Sequence, residues 1–176
     1  MNVVVFGGSH PDSTGYQQAE HLGFLLGKAG HAVLTGGYIG SMEAVSKGAA
    51  EAGAHVIGVT CNQIENWRSG GPNQWISEER RFETLRERLF ALIDGCDAAI
   101  ALPGGPGTLA EIALTWNLLL TDAITPRPLI LVGAGWQDVI DMFFQAFNNF
   151  VPENQRTWLS FADNPEQALH ILSTWR

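Results

Sequence analysis

The sequence predicts a single three-layer α/β/α domain, a mainly parallel sheet with helices on both faces. Three observations carry this. Short apolar runs alternate with longer stretches of helical spacing, the order that builds parallel strands joined by crossover helices. Three of the runs, ending at Phe6, Thr35 and Leu102, lead straight into glycine-rich turns. No linker, repeat or low-complexity segment divides the 176 residues, and a 45% hydrophobic content supports one substantial core, so 1–176 reads as one domain.

The elements follow in order. Asn2 to Phe6 forms the first strand, and Gly7-Gly8-Ser9-His10-Pro11 the turn after it. Thr14 to Lys28 has helical spacing with Leu22, Leu25 and Leu26 on one face, and Thr14 with Gln17 fits a capping box. Gly30 stops that helix, and His31 to Thr35 is the second strand. Gly36-Gly37-Tyr38-Ile39-Gly40 opens a small-residue helix running to about Ala52, in which Ala44, Gly48, Ala49 and Ala50 would permit close packing on the sheet. Ala54 to Val59 is the third strand.

Thr60 to Ser77 breaks the rhythm, a polar loop holding Trp67 and Trp75; loops of this length in compact domains are usually functional or mobile. The two tryptophans fit stacking on a ligand's base, packing under the loop or packing against a partner subunit. Glu78 to Asp94 reads as a charged amphipathic helix with Phe82, Leu85, Leu89, Leu92 and Ile93 inward. Ala98 to Leu102 is a buried strand, and Ile112 to Leu120 has helical spacing. Pro128 to Val132 is a fifth strand, Gln137 to Phe147 a helix, and Thr157 to Phe161 a sixth strand. Asp163 and Glu166 would cap a last helix ending near Trp175.

Composition excludes several classes. A formal charge of −8 with no stripe of arginines argues against a nucleic-acid polymer as partner. No apolar run approaches the roughly 18 residues of a membrane span. The chain opens on a strand-like run with no basic region or cleavage site, so a cytoplasmic location is expected. Cys61 and Cys96 match no metal motif, no His/Cys/Asp cluster offers a metal site, and a structural disulfide is not expected.

The stretch from Leu102 to Glu111, LPGGPGTLAE, is the most informative. A strand, a turn with three glycines in four positions and then a helix expose backbone N–H groups at the positive end of a helix dipole, which is a phosphate site. Gly104, Gly105, Gly107 and Thr108 are its candidate residues. The other two turns would converge on the same rim, adding Gly8 and Ser9 from the first and Gly36, Gly37 and Gly40 from the second. Neither the dinucleotide fingerprint nor the phosphate-loop lysine pattern is present. Simpler readings stand beside these: Thr108 to Glu111 also fits a capping box, and Ser9 and His10 also suit an ordinary turn.

Pro103-Gly104-Gly105-Pro106-Gly107-Thr108-Leu109-Ala110-Glu111 resembles the PGGxGTxxE signature of the LOG ("Lonely Guy") family. Gly7-Gly8-Ser9, Tyr16, Leu22-Gly23, the turn from Thr35 to Gly40, Gly53, Gly58-Val59 and Thr115-Trp116 extend the likeness over most of the chain. The resemblance implies a Rossmann-like fold and a nucleoside 5′-monophosphate phosphoribohydrolase, which hydrolyses the N-glycosidic bond to a free base and ribose 5-phosphate. It implies Glu111 and Arg88 as the catalytic pair, Arg88 being located nine positions before Asp97. By its residue type alone Arg88 would read as one more charge on a solvated helix. Glu111 would stabilise the oxocarbenium-like sugar or orient water, and Arg88 would keep it ionised. No cofactor is implied. Homodimers are common in the family, and the segment from Trp116 to Leu120 could form such a surface.

One position and one short stretch depart from the family's pattern. Ala110 stands where active members often have a first glutamate, and Leu85 to Leu89 replaces a Met-His-x-Arg-Lys stretch. They leave an alternative open, a non-catalytic nucleotide or phosphorylated-cofactor carrier of the molybdenum-cofactor type. The older label of lysine decarboxylase does not suit the chain. That chemistry needs a lysine for pyridoxal phosphate, and Lys28 and Lys47, the only lysines, lie within predicted helices.

Overall fold

The computed structural model describes residues 1–67 and 70–175. Arg68 and Ser69, part of the expected loop from Thr60 to Ser77, lie outside the described residues. The elements are β1 (Asn2–Phe6), α1 (Ser13–Lys28), β2 (Ala32–Thr35), α2 (Ser41–Glu51), β3 (Val56–Cys61), α3 (Asn62–Trp67), β4 (Glu78–Phe82) and α4 (Leu85–Asp94). The second half adds β5 (Ala98–Ala101), α5 (Pro106–Leu120), β6 (Leu129–Val132), α6 (Ala134–Ala146), α7 (Glu153–Arg156), β7 (Leu159–Ala162) and α8 (Pro165–Thr174).

All strand pairs are parallel, in the order β4-β3-β2-β1-β5-β6-β7. The three-layer expectation holds. Alternate residues of each strand enter different cores: Val4, Phe6, Leu34, Ile57 and Ala99 pack with Leu92, Ile112 and Ile140, while Val3, Val5, Val33, Val56 and Ile100 pack with Leu22, Ala44 and Leu172. The central strands are apolar on both faces because helices cover both.

Two glycines let α1 and α2 cross at close range. A Cβ on Gly48 would collide with the Glu20 carbonyl oxygen, and one on Gly23 with the Val45 carbonyl. The close approach expected of the small-residue helix is therefore, at Gly48, an approach to α1 rather than to the sheet. Arg127 ties the end of α4 to the sheet: buried, it donates to the carbonyls of Ile93 (2.9 Å) and Cys96, satisfying acceptors at the helix terminus. Cys61 and Cys96 are both free and buried.

The structure corrects the sequence reading at several points. Glu78 to Phe82 is not the start of a helix but a seventh strand, β4, paired with β3 from Ile57↔Glu78 to Cys61↔Phe82. It is the sheet edge, where charged residues are favoured, and its charges find partners: Thr60 Oγ1 on β3 donates to Glu79 (2.5 Å), and Arg81 pairs with Glu65 on α3 and with Glu79 on its own strand. The helix begins only at Leu85, capped by Thr84 and Glu87 in a reciprocal capping box, and Leu85 itself is exposed rather than inward. Residues 62–67, expected within a loop, form α3.

Three caps also differ. Asp12, not Thr14, caps α1, accepting from the Gly15 amide at 2.7 Å. Asn164, not Asp163, caps α8 by accepting from Gln167 N, and Glu166 instead meets His21. Thr108 and Glu111 form no capping box, because α5 starts earlier, at Pro106. Among the described residues no helix is long and apolar enough to cross a membrane, and no group of three or more His, Cys, Asp or Glu side chains could hold a metal ion.

Candidate active site

The strand order reverses between β1 and β5, and the turns leaving their carboxyl ends border the crevice where ligands of such sheets bind. Glycine lets the two turns meet. Gly8 N donates to Pro103 O at 3.3 Å, and a Cβ on Gly8 would come within 3.2 Å of the Gly104 Cα. A Cβ on Gly104 would collide with the Thr108 side chain. The third turn joins them: Ser41 N donates to Gly8 O at 2.9 Å, and Gly40, at φ +80°, lies against the Ser9 backbone. That positive φ and that contact both require glycine.

The start of α5 is the electropositive feature of this crevice. Gly105 is its N-cap and offers no side chain; Pro106 occupies the first helical position, where its missing N–H costs nothing. The amides of Gly107 and Thr108 meet no acceptor among the described residues. The beginnings of α1, α4 and α8, by contrast, are each closed by a side chain. Open N–H groups at the positive end of a helix form an anion site.

Glu111 lies one turn further along, at i+4 and i+3 from Gly107 and Thr108, so its side chain leans back over them. It is 8% exposed, lines the crevice, and among the described residues no donor hydrogen-bonds its carboxylate. Burial pushes its pKa up to about 7, against the opposing pull of the Arg88 guanidinium. Arg88 acts in the expected direction, favouring the ionised form, while desolvation is the larger effect.

Arg88 is not a solvated helix charge but buried, on the inward face of α4. Its Nε donates to Val59 O (2.8 Å) and one Nη to Gly36 O (3.1 Å), with the guanidinium carbon 5.6 Å from the Tyr38 ring centroid. The Tyr38 hydroxyl accepts from Cys61 N (2.9 Å) and donates to Cys61 O (3.1 Å), which locks the ring. A Cβ on Gly36 would overlap the guanidinium.

The fold thus brings Glu111, Arg88, Gly8, Ser9, Gly105, Gly107 and Thr108 around one cleft of about 400 Å³. Gly104 lines the adjoining crevice beneath Thr108. Gly36, Gly37 and Gly40 line neither: Gly36 is buried behind Arg88, Gly37 is buried against Thr60 and Ile76, and Gly40 supports Ser9. Met42 and Ile64 complete the cleft, and the sequence reading missed both. Trp67 stands on its rim, 82% exposed. Trp75 is not among the lining residues; its loop folds over the second turn, with Asn73 N donating to Gly37 O at 2.8 Å. Trp116 packs edge-on against Phe143 and Phe144 and donates to Gln155 O, so it is half-buried within its own chain. Lys28 and Lys47 lie outside the cleft, Lys47 paired with Glu20.

Comparison with known proteins agrees with the signature. The family model described as possible lysine decarboxylase matches residues 42–172. The cytokinin riboside 5'-monophosphate phosphoribohydrolase LOG of Oryza sativa subsp. japonica is 34% identical over 121 residues, 68% of this chain and 46% of the rice protein. LOGL3, a probable enzyme of the same kind from that plant, is 33% identical over 154 residues, 85% of this chain and 68% of its own. The matches therefore span about half to two thirds of these curated relatives. Among solved structures, the molybdenum cofactor binding protein of Rippkaea orientalis superposes with a TM-score of 0.77 at 23% identity, covering 98% of this chain and 95% of that one, a likeness of fold. With the signature turn at the head of α5 and a family match across most of its length, the chain belongs to the LOG family.

Proposed function

We propose that the chain is a nucleoside 5′-monophosphate phosphoribohydrolase. The observation that carries this reading is Glu111: a buried carboxylate without a hydrogen-bond partner among the described residues, leaning over an uncapped helix N-terminus. A core carboxylate held in that state costs stability, and a site that orients substrate gives a reason to keep it. The relatives' named activity supplies the substrate class.

The 5′-phosphate is held by the amides of Gly107 and Thr108 and the Thr108 hydroxyl, with Gly8 and Ser9 on the facing turn. Anchoring the phosphate sets the anomeric carbon beside Glu111. As the glycosidic bond stretches, its electron pair leaves with the base nitrogen and positive charge grows on the ribose, which the ionised carboxylate stabilises. The same carboxylate orients the attacking water and accepts its proton, which passes on to the departing base and returns Glu111 to its ionised form. A pKa near neutrality suits that exchange. Arg88, fixed by two carbonyls, supplies the positive charge that holds Glu111 below the value burial alone would give. Trp67 offers an exposed ring at the rim for the base. A cytoplasmic homodimer belongs to the same proposal, on the family resemblance.

The carrier alternative rested on Ala110 and Leu89. Neither lines the cleft, so these departures leave its wall unchanged and the hydrolase reading is preferred. Incubation with nucleoside monophosphates tests it: base and ribose 5-phosphate are expected in equal amounts. Saturable binding without product would instead support a carrier.

A further inference from the structure

The crevice between the first and signature turns continues past the Glu111 cleft into a second lobe of about 630 Å³. The two lobes share Gly8, Ser9 and Gly105. The start of α5, where the phosphate is proposed to sit, therefore forms the boundary between two spaces, each large enough for a small-molecule moiety. A nucleoside monophosphate fills the lobe of Glu111, Arg88 and Trp67 and leaves the other empty.

The second lobe has a distinct chemistry. Its lining includes no lysine or arginine. Its one carboxylate, Asp12, is already committed to the Gly15 amide. What remains is a group of hydrogen-bonding side chains set among the apolar Pro11, Leu102 and Pro103. Thr14 and Gln18 stand one turn apart on the same exposed face of α1, Ser41 lies at the floor, and the His10 ring is held 3.1 Å from Ser9 Oγ. Such a wall does not suit a second anionic group. It suits an uncharged ring bearing hydroxyls.

Resting on the nucleotide-binding use of this same cleft, we infer that beside nucleoside monophosphates the crevice takes a second ligand class, a nucleotide whose terminal phosphate is esterified to a neutral sugar-like group, as in a nucleoside diphosphate sugar. The nucleoside occupies the Glu111 lobe, the phosphates cross the start of α5, and the distal ring lies against His10, Thr14 and Gln18.

Calorimetric titration of the protein with AMP, ADP and ADP-ribose tests this, since ADP-ribose carries a neutral ribosyl group on ADP's terminal phosphate, at the loss of one negative charge there. ADP-ribose is expected to bind at least about tenfold more tightly than ADP, the worth of two new neutral hydrogen bonds. The double variant Thr14→Val/Gln18→Leu is expected to bring that ratio close to one; both residues are exposed on a helix, where such changes do not threaten the fold. ADP-ribose binding no tighter than ADP, or an advantage that survives the double variant, overturns the inference while AMP binding leaves the cleft's use intact. Absence of binding by all three nucleotides overturns both.

Discussion

Glu111 on α5 and Arg88 on α4 face one cleft, and the carboxylate nevertheless titrates near 7 because burial outweighs the guanidinium beside it. The guanidinium is held by the carbonyls of Val59 and Gly36. The site thus keeps a carboxyl group close to its titration midpoint at neutral pH, a state suited to exchanging a proton with water.

Glu111 costs stability at the pH where it is ionised. An unfolded glutamate titrates near 4.5 and Glu111 near 7. Between those values the folded chain binds the extra proton, so the contribution is fully present below about 4.5 and is lost as pH rises through about 7. The interval corresponds to about 3 kcal/mol. Glu111→Gln removes the penalty. Its Tm is expected to match the wild type near pH 4.5 and to exceed it by about 5–10 °C at pH 8, as read by calorimetry.

Activity depends on the ionised form in this account. The logarithm of kcat/KM is expected to climb with pH at a slope of one below about 7 and to level off above it. A profile falling through that range would assign Glu111 the role of an acid.

Arg88→Met removes the charge that opposes desolvation, so the same profile should shift to higher pH. The carbonyls of Val59 and Gly36 also lose their donor, at a cost of about 1–3 kcal/mol in urea denaturation. A pH profile that stays in place while stability falls would give Arg88 a structural role alone.

Gly104→Ala forces a methyl group into the Thr108 side chain, and Gly48→Ala forces one into the Glu20 carbonyl. Each should destabilise the chain by about 1–3 kcal/mol. Only the first presses on a residue of the cleft, Thr108, so only Gly104→Ala is expected to weaken nucleotide binding, measurable by calorimetry on the folded protein.

Much of the fold was legible because its signals are local. Glycine turns after Phe6, Thr35 and Leu102, and apolar runs before them, state the strand ends directly. Glu78 to Phe82 was not legible: four of its five residues are charged, in a run common on helices, and only pairing with β3 makes it a strand. Capping patterns misled at Thr14 and Thr108, since the same spacing of residues recurs one turn inside a helix. Arg88 stood out only by its distance from Asp97. Its burial, and the raised pKa of Glu111, come from segments far apart in sequence, namely the carbonyls of Gly36 and Val59 and the packing of α4 beside α5. Met42 and Ile64 look like ordinary core residues until the cleft is assembled.

The most direct test of the central claim is release of ribose 5-phosphate from a panel of nucleoside 5′-monophosphates, with wild type and Glu111→Ala measured side by side. Product from the wild type, reduced by a factor of about 10³ or more in the variant, is the expected result. Turnover that survives Glu111→Ala would contradict it and assign the chemistry to another group.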